Sequence, residues 1–286
     1  MKIMTINTHS LAEPEFERKR ECFLQVLWRE QPDILALQEV NQTAASRALS
    51  PEECVGCRPC PGVSVPLKED NYAAWLARQA AGAGIAYHWS WLPAKLGYGI
   101  YDEGMAIFSR APVEEAEQLR ISRADDYRNW KTRRILGIRT GGVWYYTVHM
   151  GWWDDEEEPF ESQWRTLNCH MKKRTADGSL VWLLGDFNSP STVRGQGYDL
   201  VRRDGWLDSY ELAAKKDSGI TVGTVIDGWR ERPQGEKAQQ GMRLDYLFSS
   251  SPVQVTCSQV ICNGTRDPQV SDHYGVMIET KLFGEV

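Results

Sequence analysis

The chain has 286 residues and a formal net charge of -6. Hydrophobic residues make up 42% and charged residues 25%, proportions that are typical of a soluble globular protein and exclude a disordered or fibrous one. No run reaches the roughly 18 to 20 apolar residues that a membrane-spanning helix needs. The negative balance argues against a protein whose main task is to grip a polyanionic backbone, because that grip requires many Lys and Arg side chains.

The N-terminal segment and the cysteines predict a cytoplasmic protein with reduced thiols. Met1–Ile6 continues directly into a strand-like segment, without the apolar stretch and cleavage site of a signal peptide. The seven cysteines are odd in number, which disfavours a complete disulfide framework. Cys54, Cys57 and Cys60 have the spacing of some zinc and iron–sulfur sites, but no fourth ligand is evident nearby. A reduced loop is therefore favoured over a structural metal site.

The chain begins with an alternation of strand and helix patterns. Lys2–Asn7 is a short apolar run, and Phe16–Glu30 places apolar residues at helical spacing. Asp33–Val40 is a second apolar run of strand length. These segments predict a strand, a helix and a strand.

Further along the chain, strand patterns outnumber long helices. Helical spacing recurs at Tyr72–Ala81 and Pro159–Lys172. Further strands are predicted at Gly104–Phe108, Val143–His149, Leu180–Leu184, Arg243–Phe248, Val253–Ile261 and Tyr274–Ile278. Many strands with few helices predict an α+β fold in which sheet packs on sheet between helices.

Two segments lack periodicity and are predicted to be loops. One is a Cys- and Pro-rich insertion at about residues 50–69, and the other is the polar segment Arg230–Gly241. Neither has the character of an interdomain linker, and the sequence has no internal repeat. We therefore expect a single domain over residues 1–286.

Polar side chains recur at the ends of the predicted strands. They are Asn7, Glu39, His149, Asp186 and the pair Asp272–His273. Each alone would be read as a turn or cap residue. Together they offer hard oxygen ligands for Mg²⁺, a carboxylate to hold a water molecule and an imidazole beside a carboxylate. The set predicts metal-assisted hydrolysis.

The order of these motifs resembles the endonuclease/exonuclease/phosphatase superfamily, which contains exonuclease III, deoxyribonuclease I, neutral sphingomyelinases and inositol polyphosphate 5-phosphatases. The resemblance lies in Asn7, Leu37–Val40, Gly104–Arg110, Gly185–Asn188 and Ser271–His273. It implies a four-layer α/β/β/α sandwich of two mainly antiparallel sheets flanked by helices. It also implies a metal-dependent phosphoester hydrolase.

The resemblance implies a metal site that uses Mg²⁺ or Mn²⁺. Glu39 would be the principal ligand. Asn7 beside it would supply an amide oxygen to the metal or a bond to the phosphate, and Asp272 would complete the metal end of the site.

The resemblance also implies the catalytic groups. Asp186 would position and deprotonate the attacking water, while Asn188 and His149 would bond phosphoryl oxygens. His273 would stabilise the developing charge or transfer a proton. Asp245 is the best match for the carboxylate that fixes the tautomer of this imidazole and favours its protonated form.

Aromatic and acidic segments near these motifs favour a sugar as substrate, because sugars stack on indole rings while carboxylates accept their hydroxyl groups. The segments are Tyr87–Trp91, Tyr98–Gly104 and His149–Glu157. With Asp70–Tyr72, Val193–Asp199 and Val225–Trp229, they resemble a bacterial branch that includes the maltose 6'-phosphate phosphatases. That branch hydrolyses an intracellular sugar phosphate monoester.

The predicted substrate contacts combine arginine and tryptophan side chains with Asn188. Arg133 and Arg194 offer planar forks for a dianionic phosphate, with surface salt bridges as the alternative. Trp152 and Trp153 would stack on the sugar, with core packing as the alternative.

Three functions compete. The first is hydrolysis of a sugar phosphate such as maltose 6'-phosphate. The second is phosphodiester hydrolysis of nucleic acid or sphingolipid, which the acidic balance and the lack of a basic stripe or membrane-anchoring insertion disfavour. The third, a non-catalytic binding protein, should have lost Glu39, Asp186 or His273, and all are present. The sequence makes no prediction of the oligomeric state.

Overall fold

The structure is a computed structural model that describes residues 1–224, 226, 229 and 241–281. The predicted loop Arg230–Gly241 therefore lies outside the described residues except for Gly241. Of the sugar-site segment Val225–Trp229, only Ile226 and Trp229 are described.

The described residues form strands and helices in the following order. The strands are β1 (Lys2–Asn7), β2 (Ile34–Thr43), β3 (His88–Gly97), β4 (Tyr101–Ser109), β5 (Glu115–Arg120), β6 (Arg134–Thr140), β7 (Val143–His149), β8 (Val181–Asp186), β9 (Leu207–Asp208), β10 (Lys215–Lys216), β11 (Asp245–Ser249), β12 (Gln254–Ile261) and β13 (Gly275–Lys281). The α-helices are α1 (Phe16–Glu30), α2 (Tyr72–Gly82), α3 (Phe160–Thr175), α4 (Gly197–Arg203) and α5 (Ser209–Leu212).

These strands form two sheets. The first has the order β10-β12-β13-β1-β2-β4-β3, and the second has the order β5-β6-β7-β8-β11-β9. Most neighbours are antiparallel, while β1–β2, β7–β8 and β10–β12 are parallel. The predicted pair of mainly antiparallel sheets is confirmed.

Alternation along the strands separates three apolar layers. Ile34 and Ala36 of β2 point toward Trp182 and Leu184 of β8, in the core between the sheets. The opposite face of β2 packs on α1 and α2, through residues such as Leu35 and Leu37 with Phe23 and Leu76. The opposite face of β8 packs on α3, through Val181 and Leu183 with Trp164 and Leu167. Helix, sheet, sheet and helix follow one another, as predicted.

The two central parallel pairs end at the same edge of the packed sheets. In the register of β1 with β2, Asn7 pairs with Gln38, and in the register of β7 with β8, His149 pairs with Asp186. The Asn7 Nδ2 atom lies 3.3 Å from the Asp186 Oδ2 atom, so the two edges meet across the sheet interface. This arrangement brings side chains from both sheets to one place.

An irregularity in β2 directs Glu39 to that edge. The pairing of β2 with β4 shifts between Leu37 and Val40, and Glu39 has a φ of 51°. The preceding Gln38 points into the sheet interface, where its Nε2 donates to Thr147 Oγ1 at 2.7 Å. A residue other than glycine at positive φ costs of order 1 kcal/mol or more, and such strain is concentrated at functional sites.

The helices at residues 16–30, 72–82 and 160–175 confirm the predicted helices to within a few residues. The strands β3, β5 and β6 and the two-residue strands β9 and β10 were not predicted. β5 is an edge strand whose side chains are all at least partly exposed, so its sequence has no apolar alternation. In β3, Pro93 interrupts the strand pattern next to a shift in register.

The Cys-rich insertion between β2 and α2 contains a short 3₁₀ helix, Pro51–Glu53. All seven cysteines are unpaired, as predicted. Among the described residues, the side-chain clusters that could hold a metal ion include no cysteine. Within the same residues, no helix has the length and apolarity to cross a bilayer.

Gly185, directly before Asp186, lies where neighbouring atoms leave no room for a side chain. It has a φ of 141°, and a Cβ atom there would lie 2.2 Å from the Val148 carbonyl oxygen and 2.7 Å from Gln38 Nε2. We expect Gly185→Ala to lower the free energy of unfolding by about 2–4 kcal/mol, because the β7–β8 pair must separate. Urea denaturation measures this change.

Gly178→Ala is the matched control, because Gly178 has a φ of 84° but no atom within 4 Å of the added Cβ. Its cost should be limited to the backbone strain of about 1–2 kcal/mol. Equal losses for the two variants would contradict the close approach at Gly185.

Candidate active site

A cavity of about 820 Å³ opens at the edge where the parallel strand pairs end. Most of the predicted site residues line it. They are Glu39, Arg133, His149, Trp152, Asp186, Asn188, Asp272 and His273. Asn7 and Asp245 lie behind this lining and reach it through hydrogen bonds.

Asp186 is the last residue of β8 and lies at the centre of the site. Its Oδ1 atom accepts a 2.8 Å hydrogen bond from the backbone N–H of Asn188, and its Oδ2 atom accepts from Asn7 Nδ2 at 3.3 Å. Burial raises the pKa of Asp186 to about 7, although the nearby charge of His273 opposes this rise. A carboxyl group with this pKa can accept a proton near neutral pH.

His273 and Asp245 form a buried imidazole–carboxylate pair. Asp245 faces Asp186 in the antiparallel register of β8 with β11, and its Oδ2 atom lies 2.9 Å from His273 Nδ1. Burial disfavours the charged imidazole, but Asp245 and Asp186 outweigh it and raise the pKa of His273 well above its usual value. The other ring nitrogen, Nε2, lies 3.7 Å from Asp186 Oδ2. The pair therefore holds a protonated imidazole beside Asp186.

His149 is the second imidazole next to Asp186, and its Nε2 atom lies 3.7 Å from Asp186 Oδ2. Burial, followed by the charges of Arg133 and Lys95, lowers the pKa of His149 well below its usual value. The site thus combines a charged and a neutral imidazole. The neutral ring can donate one hydrogen bond without adding charge.

Asn188 holds Asp186 in place. Its Nδ2 group donates to the Met150 carbonyl oxygen at 3.0 Å and to Asp186 Oδ2 at 3.3 Å, and its Oδ1 atom accepts from Trp229 Nε1 at 3.2 Å. Both amide hydrogens are in use, so this geometry gives Asn188 a positioning role. Its donation to a phosphoryl oxygen stays a prediction.

Glu39 and Asn7 form the part of the site contributed by the first sheet. Asn7 Nδ2 donates to Glu39 Oε1 at 2.9 Å, and Asn7 Oδ1 accepts from the backbone N–H of His9 at 3.2 Å. The amide thus turns its nitrogen toward the carboxylates. As a metal ligand, Asn7 would have to reverse its amide and lose its hydrogen bonds with Glu39, Asp186 and the His9 N–H.

Asp272 lies beside a second imidazole–carboxylate pair that the sequence did not reveal. His9 Nδ1 lies 2.9 Å from Glu13 Oε1, and its Nε2 atom lies 3.1 Å from the Tyr98 hydroxyl. Burial opposes protonation of His9, but Glu13 and the nearby Glu39 and Asp272 raise its pKa to about 9. These carboxylates favour the protonated form of His9. The ligand atoms of His9, Glu13 and Asp272 also lie within 4.8 Å of one another, so this cluster could hold a metal ion.

The carboxylates of this wall fit a divalent metal ion. Burial, followed by the charge of Glu103, raises the pKa of Glu39, and Asp272 adds to the rise. Burial is the main cause of this rise and the neighbouring negative charges add to it, so a bound cation would favour the charged carboxylate. Carboxylate oxygens of this kind suit Mg²⁺ or Mn²⁺, and such an ion would polarise the phosphoryl group. Glu39 and Asp272 as its ligands stay a prediction. Among the described residues, two clusters have ligand atoms within 4.8 Å of one another: His9, Glu13 and Asp272, and Asp186, Asp245 and His273.

Two of the predicted substrate contacts lie outside the cavity lining. The Arg194 side chain is exposed and pairs with Asp199 at 2.8 Å, which is the salt bridge given above as the alternative. Trp153 packs toward Phe160, with ring centroids 6.3 Å apart. Of the predicted tryptophans and arginines, Trp152 and Arg133 line the cavity.

Four further residues of the cavity lining, His9, Lys95, Gly97 and Trp130, were not predicted. Lys95 lies near the end of β3. Polar residues at the ends of predicted strands are site candidates, so Lys95 would have been among them if this strand had been predicted. Trp130 is 52% exposed in the loop before β6, where no strand pattern marks it.

A family model described as the endonuclease/exonuclease/phosphatase family matches residues 4–273. The chain belongs to this family. Members of the endonuclease/exonuclease/phosphatase family are metal-dependent phosphoester hydrolases, and the chain is therefore an enzyme of this general class. The predicted family resemblance is confirmed. A search of curated proteins finds no match.

Solved structures share the whole fold. A family protein from Leptotrichia buccalis C-1013-b is 27% identical, with a TM-score of 0.83 over 99% of this chain and 100% of that chain. A mannosyl-6-phosphatase from Bacteroides thetaiotaomicron VPI-5482 is 15% identical, with a TM-score of 0.63 over 99% and 100% of the two chains. A 3' phosphatase from Neisseria bound to a product DNA hairpin is 20% identical, with a TM-score of 0.61 over 99% and 100%.

Glu39→Gln tests the metal site. Loss of the charge should weaken Mn²⁺ binding at least about tenfold, because a hard divalent cation prefers a carboxylate to an amide. Isothermal titration calorimetry measures the affinity. Glu52→Gln, at an exposed position of the Cys-rich insertion, is the control and should bind as the unsubstituted protein does. Equal affinities for all three proteins would exclude Glu39 as a ligand.

Proposed function

We propose that the protein is a Mg²⁺-dependent phosphomonoesterase that acts on a sugar phosphate such as maltose 6'-phosphate. The observation that carries the proposal is the position of the Asp186, His149 and His273 side chains on the lining of a cavity of about 820 Å³. A cavity of this volume accommodates a small molecule, since ligand pockets are typically about 300–1,000 Å³.

The roles of the catalytic groups follow from their protonation. Asp186 accepts the proton of the attacking water, since its pKa is about 7. The protonated Nε2 of His273 offers a charged donor to a phosphoryl oxygen. Neutral His149 offers a second, uncharged donor. Asp245 orients His273 and stabilises its protonated form through the 2.9 Å bond. Glu39 and Asp272 would hold the metal ion.

Aromatic and acidic side chains of the cavity support a sugar as the leaving group. Trp130 and Trp152 lie with ring centroids 5.9 Å apart, and Asp154 lies in the same lining. An indole face binds the apolar face of a pyranose, and a carboxylate accepts hydroxyl groups. Within the predicted acidic segment, Asp155 and Glu157 pair with Lys131.

DNA is the alternative substrate, since one structural neighbour is a phosphatase bound to DNA. The net charge of -6 argues against it, because a DNA-binding surface requires an excess of positive charge. The mannosyl-6-phosphatase of the same fold is consistent with a sugar phosphate. A cytoplasmic location and a single domain stay predictions.

Phosphate release from a panel of substrates tests the proposal. The panel contains maltose 6'-phosphate, glucose 6-phosphate, a mononucleotide and a DNA duplex with a 3' phosphate. We expect kcat/KM to be highest for a sugar phosphate, and we expect EDTA to abolish the activity and Mg²⁺ to restore it. Release from the DNA and from no sugar phosphate would overturn the proposal.

Asp186→Asn is the catalytic control for this panel. It is nearly isosteric but cannot accept a proton, so kcat should fall by about 10³-fold or more. The urea midpoint measured in EDTA should change little. An unchanged kcat would show that Asp186 does not activate the water.

A further inference from the structure

Two buried cations lie side by side on the cavity wall. Lys95, near the end of β3, is 7% exposed, and Arg133, just before β6, is 4% exposed. Both line the cavity together with His149 and Asp186. Cationic side chains are almost never this deeply buried unless something pairs with them.

The two side chains converge on one acceptor. Lys95 Nζ donates to the carbonyl oxygen of Trp130 at 3.0 Å, and Arg133 Nη1 donates to the same oxygen at 2.8 Å. Two positive groups that share one neutral acceptor are close enough for a single tetrahedral anion to contact both. The backbone at Trp130 therefore fixes the spacing of the pair.

Only one of the two cations has a carboxylate in direct contact among the described residues. Lys95 Nζ has the Glu103 carboxylate at 3.1 Å, whereas Arg133 forms no ion pair with any carboxylate of the described residues. The buried Nε atom of Arg133 also has no hydrogen-bond partner there. Burial lowers the pKa of both groups, and the charge of Arg133 lowers that of Lys95 further. A bound anion would give Arg133 a charged partner in direct contact.

The pair adjoins the reacting centre. The charges of Arg133 and Lys95 both lower the pKa of His149, and His149 Nε2 lies 3.7 Å from Asp186 Oδ2. The remaining lining is rich in carboxylates, which repel an anionic ester. An ester with a second negative charge therefore needs positive groups at this wall more than a singly charged ester does.

We propose that Lys95 and Arg133 form an anion clamp for the non-bridging oxygens of the reacting phosphoryl group, and that the clamp makes the enzyme select phosphomonoesters over phosphodiesters. A monoester carries nearly two negative charges at neutral pH, since its second pKa is about 6, whereas a diester carries one. Arg133 supplies a planar fork and Lys95 a point charge. The inference rests on the proposed hydrolase function and names Lys95 as a residue that determines specificity.

The test compares the unsubstituted enzyme with Lys95→Met on p-nitrophenyl phosphate and on bis-p-nitrophenyl phosphate. We expect kcat/KM to fall at least about tenfold for the monoester and less than about threefold for the diester, because only the monoester has the additional charge. Inhibition by inorganic phosphate, measured at a fixed Mg²⁺ concentration, should weaken by a similar factor. Equal losses on both esters, or no loss on either, would overturn the clamp.

Two further variants keep the test decisive. Lys95→Gln can still donate to Glu103, so it separates loss of charge from loss of folding if Lys95→Met is unstable. Its monoester preference should fall as well, and a retained preference would contradict the clamp. Lys131→Met is the matched control, because Lys131 follows Trp130 but pairs with Asp155 and Glu157 and does not line the cavity. Its preference should be unchanged.

The clamp and the proposed substrate can fail independently. If the enzyme releases phosphate from no sugar phosphate, the proposed substrate is wrong. The comparison of p-nitrophenyl esters and the binding of inorganic phosphate, measured by calorimetry with and without Lys95→Met, still decide whether the clamp exists.

Discussion

The active site depends on two parallel strand pairs, one in each sheet, that end at the same edge. The pair β1–β2 brings Asn7 and Glu39 to this edge, and the pair β7–β8 brings His149 and Asp186. Because the sheets pack face to face, the two sets meet across the interface. Asn7 lies within hydrogen-bonding distance of both Glu39 and Asp186. The chemistry is therefore divided between the sheets, and neither sheet holds it alone.

This arrangement concentrates unfavourable features at one place. Glu39, Asn188 and His9 all have positive φ angles, and Asp186 is buried with a raised pKa. The surrounding sheets must stabilise these conformations, since each is costly by itself. Asp245 offsets part of the cost by pairing with His273. A site of this kind gains stability when a metal ion and an anionic substrate bind, because both add charges that the buried groups lack.

The sequence predicted the layers of the fold because its central strands are buried on both faces and therefore apolar throughout. The same reasoning located Asn7, Glu39, His149 and Asp186, each of which directly ends an apolar run or follows it closely. β5 was missed because it is an exposed edge strand, and β3 was missed because Pro93 breaks its pattern.

The remaining differences arise from contacts between segments that are distant in sequence. Lys95 went unnoticed because β3 had not been predicted. Lys95 and Arg133 are brought together because both donate to the backbone carbonyl oxygen of Trp130. The side-chain chemistry of Arg194 suits phosphate, but its position next to Asp199 does not bring it to the cavity. Residue type alone therefore could not separate the arginine that lines the site from the one that does not.

We propose that the cavity binds a metal ion beside Glu39 and Asp272 and a phosphate beside His273 and Lys95. A crystal structure with Mn²⁺ and inorganic phosphate, with anomalous differences recorded for the metal, tests it most directly. We expect an anomalous peak beside the Glu39 and Asp272 carboxylates, with the phosphate between that peak and Lys95. A metal peak away from Glu39, or a phosphate outside this cavity, would contradict it.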